Sequence, residues 1–310
     1  MQIKAADGRE ADVQALGDLV ARPDVDAATR RRIETELRQV RAGARGEREA
    51  AYEIEFHLRD NPNRMTIHDL RLEVDGRVAQ IDHLILDRLL GIWVCESKHF
   101  SEGVAVNDFG EWTGFYRGRA FGIGSPIEQN RKHIAVIGDA FAKRLVELPK
   151  RLGITIKPEL RSLILVSKEA RITRPRTKAA QARIEGLESV IKIDQLSQAF
   201  KAETEGRALR QGLKVVGSET LERLARQMVA LHKPARFDWP AKFGLSSAPA
   251  PVVAAPARAP APTSSLTATC AGCGKHVSQA VIDFCNERAE LFGSRILCMD
   301  CQRKARKGQI

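Results

Sequence analysis

The stretch Gln80–Lys98, QIDHLILDRLLGIWVCESK, decides how this chain folds. Two short apolar runs flank a tight connection, the pattern of two paired strands. With the connection centred near Leu89 or Leu90, paired residue numbers sum to a constant, which puts Asp82 opposite Glu96 or Ser97. In the second strand Ile92, Val94, Glu96 and Lys98 share one face by the two-residue period. One end of a sheet thus gathers two acids and a base. A Glu-x-Lys pattern alone usually marks a strand end with a surface ion pair. Asp82 changes that reading, because a carboxylate among Ile81, Leu84 and Ile85 must be paired, protonated or bound to a cation. Two adjacent carboxylates repel, and one lysine cannot neutralise both while also serving a substrate. A divalent cation that prefers oxygen ligands, such as Mg²⁺, resolves the conflict.

Working outward, MTIHDLRLEV (65–74) and RVAQIDHLIL (77–86) alternate or run apolar on either side of Asp75-Gly76, so they complete a three-strand meander with GIWVCESKHF (91–100). Upstream, good helix formers run from Ala11 to about Leu58. They break at ARPDVDAATRRR, where Asp26 is the N-cap of a long second helix. Gly43 and Gly46 interrupt that helix, and the expectation is that it ends there and a new one begins near Glu47. Downstream, EWTGFYRGRAFGIGSP (111–126), rich in glycine and aromatics, reads as a loop. Ile134, Ile137, Phe141 and Leu145 then recur at helical spacing within a helix from Ile127 to about Leu148. LRSLILVS and VIKI are further strands, and Asp194–Gly206 and Gly217–His232 further helices. The whole is an α/β or α+β arrangement around one mixed sheet.

The composition shifts abruptly in LSSAPAPVVAAPARAPAPTSSLTAT, an Ala/Pro-rich spacer that cannot bury a core. Beyond it Cys270-x-x-Cys273 and Cys298-x-x-Cys301 are separated by residues 274 to 297. Each pair lets two sulfurs reach one metal, and two pairs complete the tetrahedral shell zinc favours. A module of about forty residues needs such a staple to fold. Cys285, beside Ile282 and Phe284, reads as a buried thiol, and His276 as a surface residue. The basic tail with Arg303, Lys304, Arg306 and Lys307 can contact phosphate or simply be solvated.

The net charge of +11 and a pI near 9.6 favour a polyanionic partner. The N-terminal residues carry acids and no apolar core, and no window approaches the roughly 18 apolar residues of a membrane helix. A cytoplasmic location is the default expectation, in which six cysteines are thiols or metal ligands rather than disulfides.

The ordered set Gly46-Glu47, His68-Asp69-Leu70, Gln80-Ile81-Asp82-His83, Gly91, Glu96-Ser97-Lys98, Gly110-Glu111-Trp112 and Ser125-Pro126 with Gln129 and His133 resembles the nuclease-related domain (NERD), a branch of the PD-(D/E)XK nuclease superfamily. The resemblance covers roughly residues 43–160 and implies a restriction-endonuclease-like mixed sheet flanked by helices, followed by a small C-terminal zinc ribbon. It implies a Mg²⁺- or Mn²⁺-dependent nuclease that hydrolyses DNA phosphodiesters. Asp82 and Glu96 would hold the metal and Lys98 would orient or activate the attacking water. Gln129 would assist from the following helix. Glu47 would help hold metal or water, with Glu53 and Glu55 as rivals for that role. Ile81 replaces the superfamily's proline. His83 alternates to the other face as a structural residue, His133 lies on its helix, and Trp112 packs.

The expected organisation is a helical extension (1–42), the nuclease-like domain (43–240), the linker (245–267) and the zinc ribbon (268–305). Cys270, Cys273, Cys298 and Cys301 would bind one structural zinc, and the ribbon would aid binding of DNA or of a protein partner. No membrane contact is expected, and the two N-terminal helices leave room for a homo-oligomer. The rival reading is a catalytically inactive nucleic-acid-binding or assembly protein on the same fold.

Overall fold

The computed structural model describes residues 1–201, 215–246 and 268–306. The expected helix beyond residue 201, the spacer residues 247–267 and Lys307 lie outside the described residues. The chain divides into two units, Met1–Ala250 and Pro251–Ile310. No described helix is long and apolar enough to cross a membrane.

The first unit begins with β1 (Gln2–Lys4), α1 (Glu10–Ala21) and α2 (Ala27–Leu58). Asp26 caps α2 by accepting from the amides of Ala28 and Thr29. The meander follows as β2 (Arg64–Val74), β3 (Arg77–Asp87) and β4 (Gly91–Lys98). β2 and β3 turn at Asp75 and Gly76, both left-handed (φ 50° and 71°), the hairpin geometry that matches strand twist. β5 (Gly103–Val106), β6 (Trp112–Tyr116) and β7 (Arg119–Ile123) come next, then α3 (Pro126–Ala142). The short hairpin β8 (Lys150–Arg151) and β9 (Ile154–Thr155) leads to β10 (Glu159–Val166), β11 (Arg171–Thr173), α4 (Lys178–Arg183) and β12 (Val190–Lys192). Residues 196–201 are helical (α5), and α6 (Ser218–Ala230) and α7 (Trp239–Lys242) close the unit.

The main sheet has the order β1-β2-β3-β4-β10-β12. It is mixed: β2, β3 and β4 are antiparallel, whereas β1, β10 and β12 run parallel to their neighbours. Ile92 and Val94 point to the face covered by α3 and α6, where they join Val136, Ile137, Leu221 and Leu224 in the larger core. Trp93 and Cys95 point to the opposite face and pack with Ala50, Ile54 and Leu58 of α2. Helices therefore cover both faces, and Glu96 and Lys98 inherit the α3 side from the same alternation.

Three readings change. α2 is one continuous helix of 32 residues that passes through both glycines. Gly46 is there because a Cβ would stand 2.6 Å from His99 Cβ, just beyond β4, so the glycine lets α2 approach the end of that strand. Gly43 has no such neighbour: its nearest would be Glu47 Oε1 at 4.0 Å. Gly46→Ala is accordingly expected to cost about 1–3 kcal/mol through overpacking, against a gain of up to about 1 kcal/mol for Gly43→Ala. Urea midpoints of the two variants check this, and equal stability would refute the packing account.

The second change is at residues 112–123, where a β-hairpin turns at Arg117 and Gly118 (φ 50° and 69°) within a four-stranded sheet β11-β5-β6-β7. The glycines did not prevent strand pairing, because the Phe121 ring lies over Gly114 and supplies the missing packing. Third, α3 stops at Ala142: Arg144 is left-handed (φ 57°), and the amides of Leu145 and Arg144 bond to Ala140 and Phe141. This ending leaves Leu145 exposed and buries Val146 instead.

The second unit opens with a turn at Cys270–Cys273 closed by a bridge between Thr269 and His276. Three helices follow: α8 (Gln279–Glu287), α9 (Ala289–Phe292) and α10 (Met299–Arg306). The second cysteine pair thus opens a helix. Phe292, Leu297 and Cys285 form the small core.

Candidate active site and cysteine centre

β3 and β4 are in register at His83 and Cys95, which extends to Asp82 and Glu96 as neighbours. Asp82 Oδ2 accepts from both the amide and the hydroxyl of Ser97 at 2.8 Å. Glu96 is buried, with 2% of its surface exposed, and its Oε1 lies 2.7 Å from Lys98 Nζ. Gln129, in the first turn of α3, joins the two: its Nε2 donates to Glu96 Oε1 (2.7 Å) and its Oε1 accepts from Lys98 Nζ (3.1 Å). The next residue, Asn130, is fully buried and donates to Val94 O (2.7 Å) and to Ser162 Oγ (2.8 Å), so it fixes α3 against β4 and β10. Ser125 caps the helix, with Pro126 at its first position.

The three sequence candidates for the helix acid separate cleanly. Glu55 is buried beneath the sheet, where it accepts from Thr66 and pairs with His68 Nε2 at 3.0 Å. Glu53 faces outward to Lys168 at 3.3 Å. Glu47 alone is shifted by the charges of Asp82, Asp69 and Lys98. Burial, then the charge of Asp82, pushes the Glu47 carboxyl up to about 7. Burial and Asp82 likewise push Glu96 up to about 8 against the pull of Lys98. Burial raises Asp82 too, opposed by the Ser97 donors.

Three neighbours escaped the sequence reading of roles. Asp69 lies at the register position opposite Asp82, in a left-handed conformation (φ 53°) that breaks the alternation of β2. Core-facing positions change from 65 and 67 to 70, 72 and 74 across it. Asp69 accepts from Gln80 Nε2. Its chain position within His68-Asp69-Leu70 was visible, but only the backbone flip brings it to the site. His133 Nδ1 lies 3.6 Å from Glu96 Oε2, and burial followed by the Lys98 charge lowers its pKa to about 4, so its imidazole is neutral near pH 7. Ser97 was one of two residues expected opposite Asp82, with no bonding role assigned to it. His83, by contrast, is buried on the other face with its Nδ1 2.8 Å from His68 Nδ1, and Trp112 packs in a core beside Val104 and Ile127.

Residues 42–164 match the family model of the nuclease-related domain. That span is similar to a nuclease-related domain. No curated protein and no solved structure matches the chain. The matched span contains Glu47, Asp69, Asp82, Glu96, Lys98, Gln129 and His133, so the whole polar cluster lies within it.

Whether the cluster suits a divalent cation can be judged from its own atoms. Glu96 Oε2 is buried with no hydrogen-bond partner among the described residues, and it sits beside a second buried carboxylate. A hard cation satisfies both demands, and the donors are the oxygens it prefers. The folded domain also binds protons on Glu47 and Glu96 that the unfolded chain releases above about 4.5. Stability without metal is therefore expected to fall as pH rises from about 5 to 8, because the folded state binds more protons there. Added Mg²⁺ or Mn²⁺ should restore it, increasingly so toward pH 8. Melting curves with and without metal check this, and a metal effect independent of pH would refute it.

In the C-terminal unit the Sγ atoms of Cys270, Cys273, Cys298 and Cys301 all lie within 4.8 Å of one another. Cys273 and Cys298 are 3.6 Å apart, near the ~3.8 Å edge of a tetrahedron with ~2.3 Å zinc–sulfur bonds. Burial opposes ionisation of Cys270, but the amides of Cys298 and Gly272 outweigh it and bring the thiol down to about 6. Four thiols so placed can hold a metal ion such as zinc. Cys285 is not among them: it is buried and bonded to Leu297 and Gln302, as expected of a packed thiol. His276 is exposed.

Proposed function

We propose that the nuclease-related domain is a Mg²⁺- or Mn²⁺-dependent deoxyribonuclease acting as the PD-(D/E)XK nucleases it resembles. The observation that carries this reading is the Glu96 carboxylate. One oxygen is held by Lys98 and Gln129, the other is buried without a hydrogen-bond partner among the described residues, and Asp82 stands beside it. A spent ion pair at a strand end has no use for a glutamine brace or for a second buried acid.

In this reading Asp82 and Glu96 hold the cation, which when bound supplies charge stabilisation for the phosphate oxygens and a more acidic water. Ser97 keeps Asp82 oriented through its two donors. Lys98, braced by Gln129, presents its ammonium to the phosphate oxygens or the attacking water. Glu47, whose carboxyl titrates near neutrality, can take the proton that water loses.

The module at 268–305 is read as a zinc-stapled unit that aids DNA or partner binding, tethered by residues 245–267 to the domain at 43–240, with 1–42 as a helical extension. Tethering a weak DNA contact raises the local concentration of the catalytic unit. The test is a panel of duplex, single-stranded and branched DNA with Mg²⁺, Mn²⁺ or EDTA. Cleavage with either metal and none with EDTA is expected. Binding without turnover under every condition would assign the fold to a non-catalytic DNA-binding role.

A further inference from the structure

Mostly outside the matched span, α2 faces α1 and the segment 237–243, and two adjoining cavities lie along it. One, of about 320 Å³, is lined by Glu47, Gly43, Arg9, Phe237 and Trp239. The other, of about 510 Å³, is lined by Arg31, Arg32, Thr35 and Phe243. Both include Glu36, Gln39 and Lys242, so they form one trough along α2. It runs from Arg32 to Glu47, roughly 22 Å of helix at about 1.5 Å per residue.

Three cations of this trough stand over aromatic rings, of which Trp239 and Phe243 are buried. Arg9 lies 5.6 Å from the centre of the Phe237 ring, Lys242 5.1 Å from Trp239 and Arg32 5.7 Å from Phe243. Phe237 stacks on Trp239 yet leaves 50% of its surface exposed. Asp12 anchors the platform by accepting from Trp239 Nε1 (2.8 Å) and pairing with Arg9, and Glu36 pairs with Lys242 (2.7 Å). The half-exposed ring of Phe237, set among Arg9, Arg31, Arg32 and Lys242, suits an unpaired base on a phosphate backbone, because stacking needs a free base face and the cations need phosphates. A duplex hides those base faces.

From this placement we infer that the trough binds single-stranded DNA and leads it to Glu47 at the carboxylate cluster. The direction of the strand rests on the nuclease reading; the binding does not. The site would take an unpaired end or flap, with the strand passing Arg32 and Phe237 before it reaches the metal-binding acids.

The test is fluorescence anisotropy of a fluorescein-labelled oligodeoxythymidine on the full, zinc-loaded chain with no Mg²⁺ or Mn²⁺ added, so that cleavage is not expected, with a duplex of the same length alongside. Phe237→Ala should weaken single-strand binding about 5- to 150-fold, the range for one lost base–aromatic stack, and Phe237→Tyr should restore it. Arg32→Ala should lower the slope of log affinity against log salt by about 0.7. Neither variant should change duplex affinity. The proposal is overturned if both variants bind the single strand as wild type does, or if duplex affinity falls by the same factor. The two readings fail separately. Metal-dependent cleavage with unaltered single-strand binding in the variants removes the trough and leaves the nuclease, and the expected loss of binding without cleavage in any metal removes the nuclease and leaves the trough.

Discussion

Lys98→Ala lowers the rate of metal-dependent DNA cleavage by about 10³-fold or more while the protein stays folded; that is the expected result, and it follows from where the lysine sits. Its ammonium is part-exposed at the end of β4, so removing it leaves no cavity in the core. Glu96 keeps the Gln129 donor, and Asp82 keeps both bonds from Ser97. What disappears is the cation proposed to face the reacting phosphate. Asp82→Ala should be as damaging to turnover, because it removes one of the two acids proposed to hold the metal. Its effect on metal-free stability has the opposite sign to that of a typical buried ion-pair mutant. Asp82 raises the pKa of both Glu47 and Glu96, so Asp82→Asn relieves repulsion and should raise the melting temperature without metal while abolishing the stabilisation by Mg²⁺. Cleavage within tenfold of wild type in both Lys98→Ala and Asp82→Ala would sink the assignment.

The second large effect concerns the cysteine centre. Metal release from the four thiols is expected to unfold residues 268–306, since a structural zinc in so small a module contributes on the order of 10 kcal/mol to its folding. The core there amounts to Phe292, Leu297, Cys285 and a few half-buried neighbours, far too little to stand without the staple. The purified chain should therefore contain one zinc by elemental analysis. Cys298→Ser should abolish it and open the module to protease, whereas Cys285→Ser should not. A metal-free chain whose C-terminal module resists protease as well as the zinc-loaded form would refute the structural role.

The two sites were legible in the sequence to different depths, for a physical reason. The cysteine pairs are local: two residues between thiols define a knuckle whatever surrounds it, so spacing alone named all four sulfurs that converge. The β3–β4 hairpin is nearly as local, and a constant pair sum was enough to set Asp82 beside Glu96. The glycines of α2 show the limit. Helical propensity counted Gly46 as a stop, but the residue answers to His99, which only the packed sheet brings against it. Similarly Gly114 belongs to a strand because Phe121 covers it from across the hairpin.

By itself, then, the sequence determined the meander, the capped second helix, the acids and lysine of the strand ends and the four-cysteine framework, because each depends on neighbours within a few residues or on one tight turn. Only the tertiary structure decided which of Glu47, Glu53 and Glu55 feels Asp82, that Asp69 and His133 belong to the cluster, and that Gln129 ties Glu96 to Lys98. Those relations join residues 30 or more apart in the chain or turn on a single backbone flip, and burial and charge at such distances are fixed by packing rather than by any local pattern.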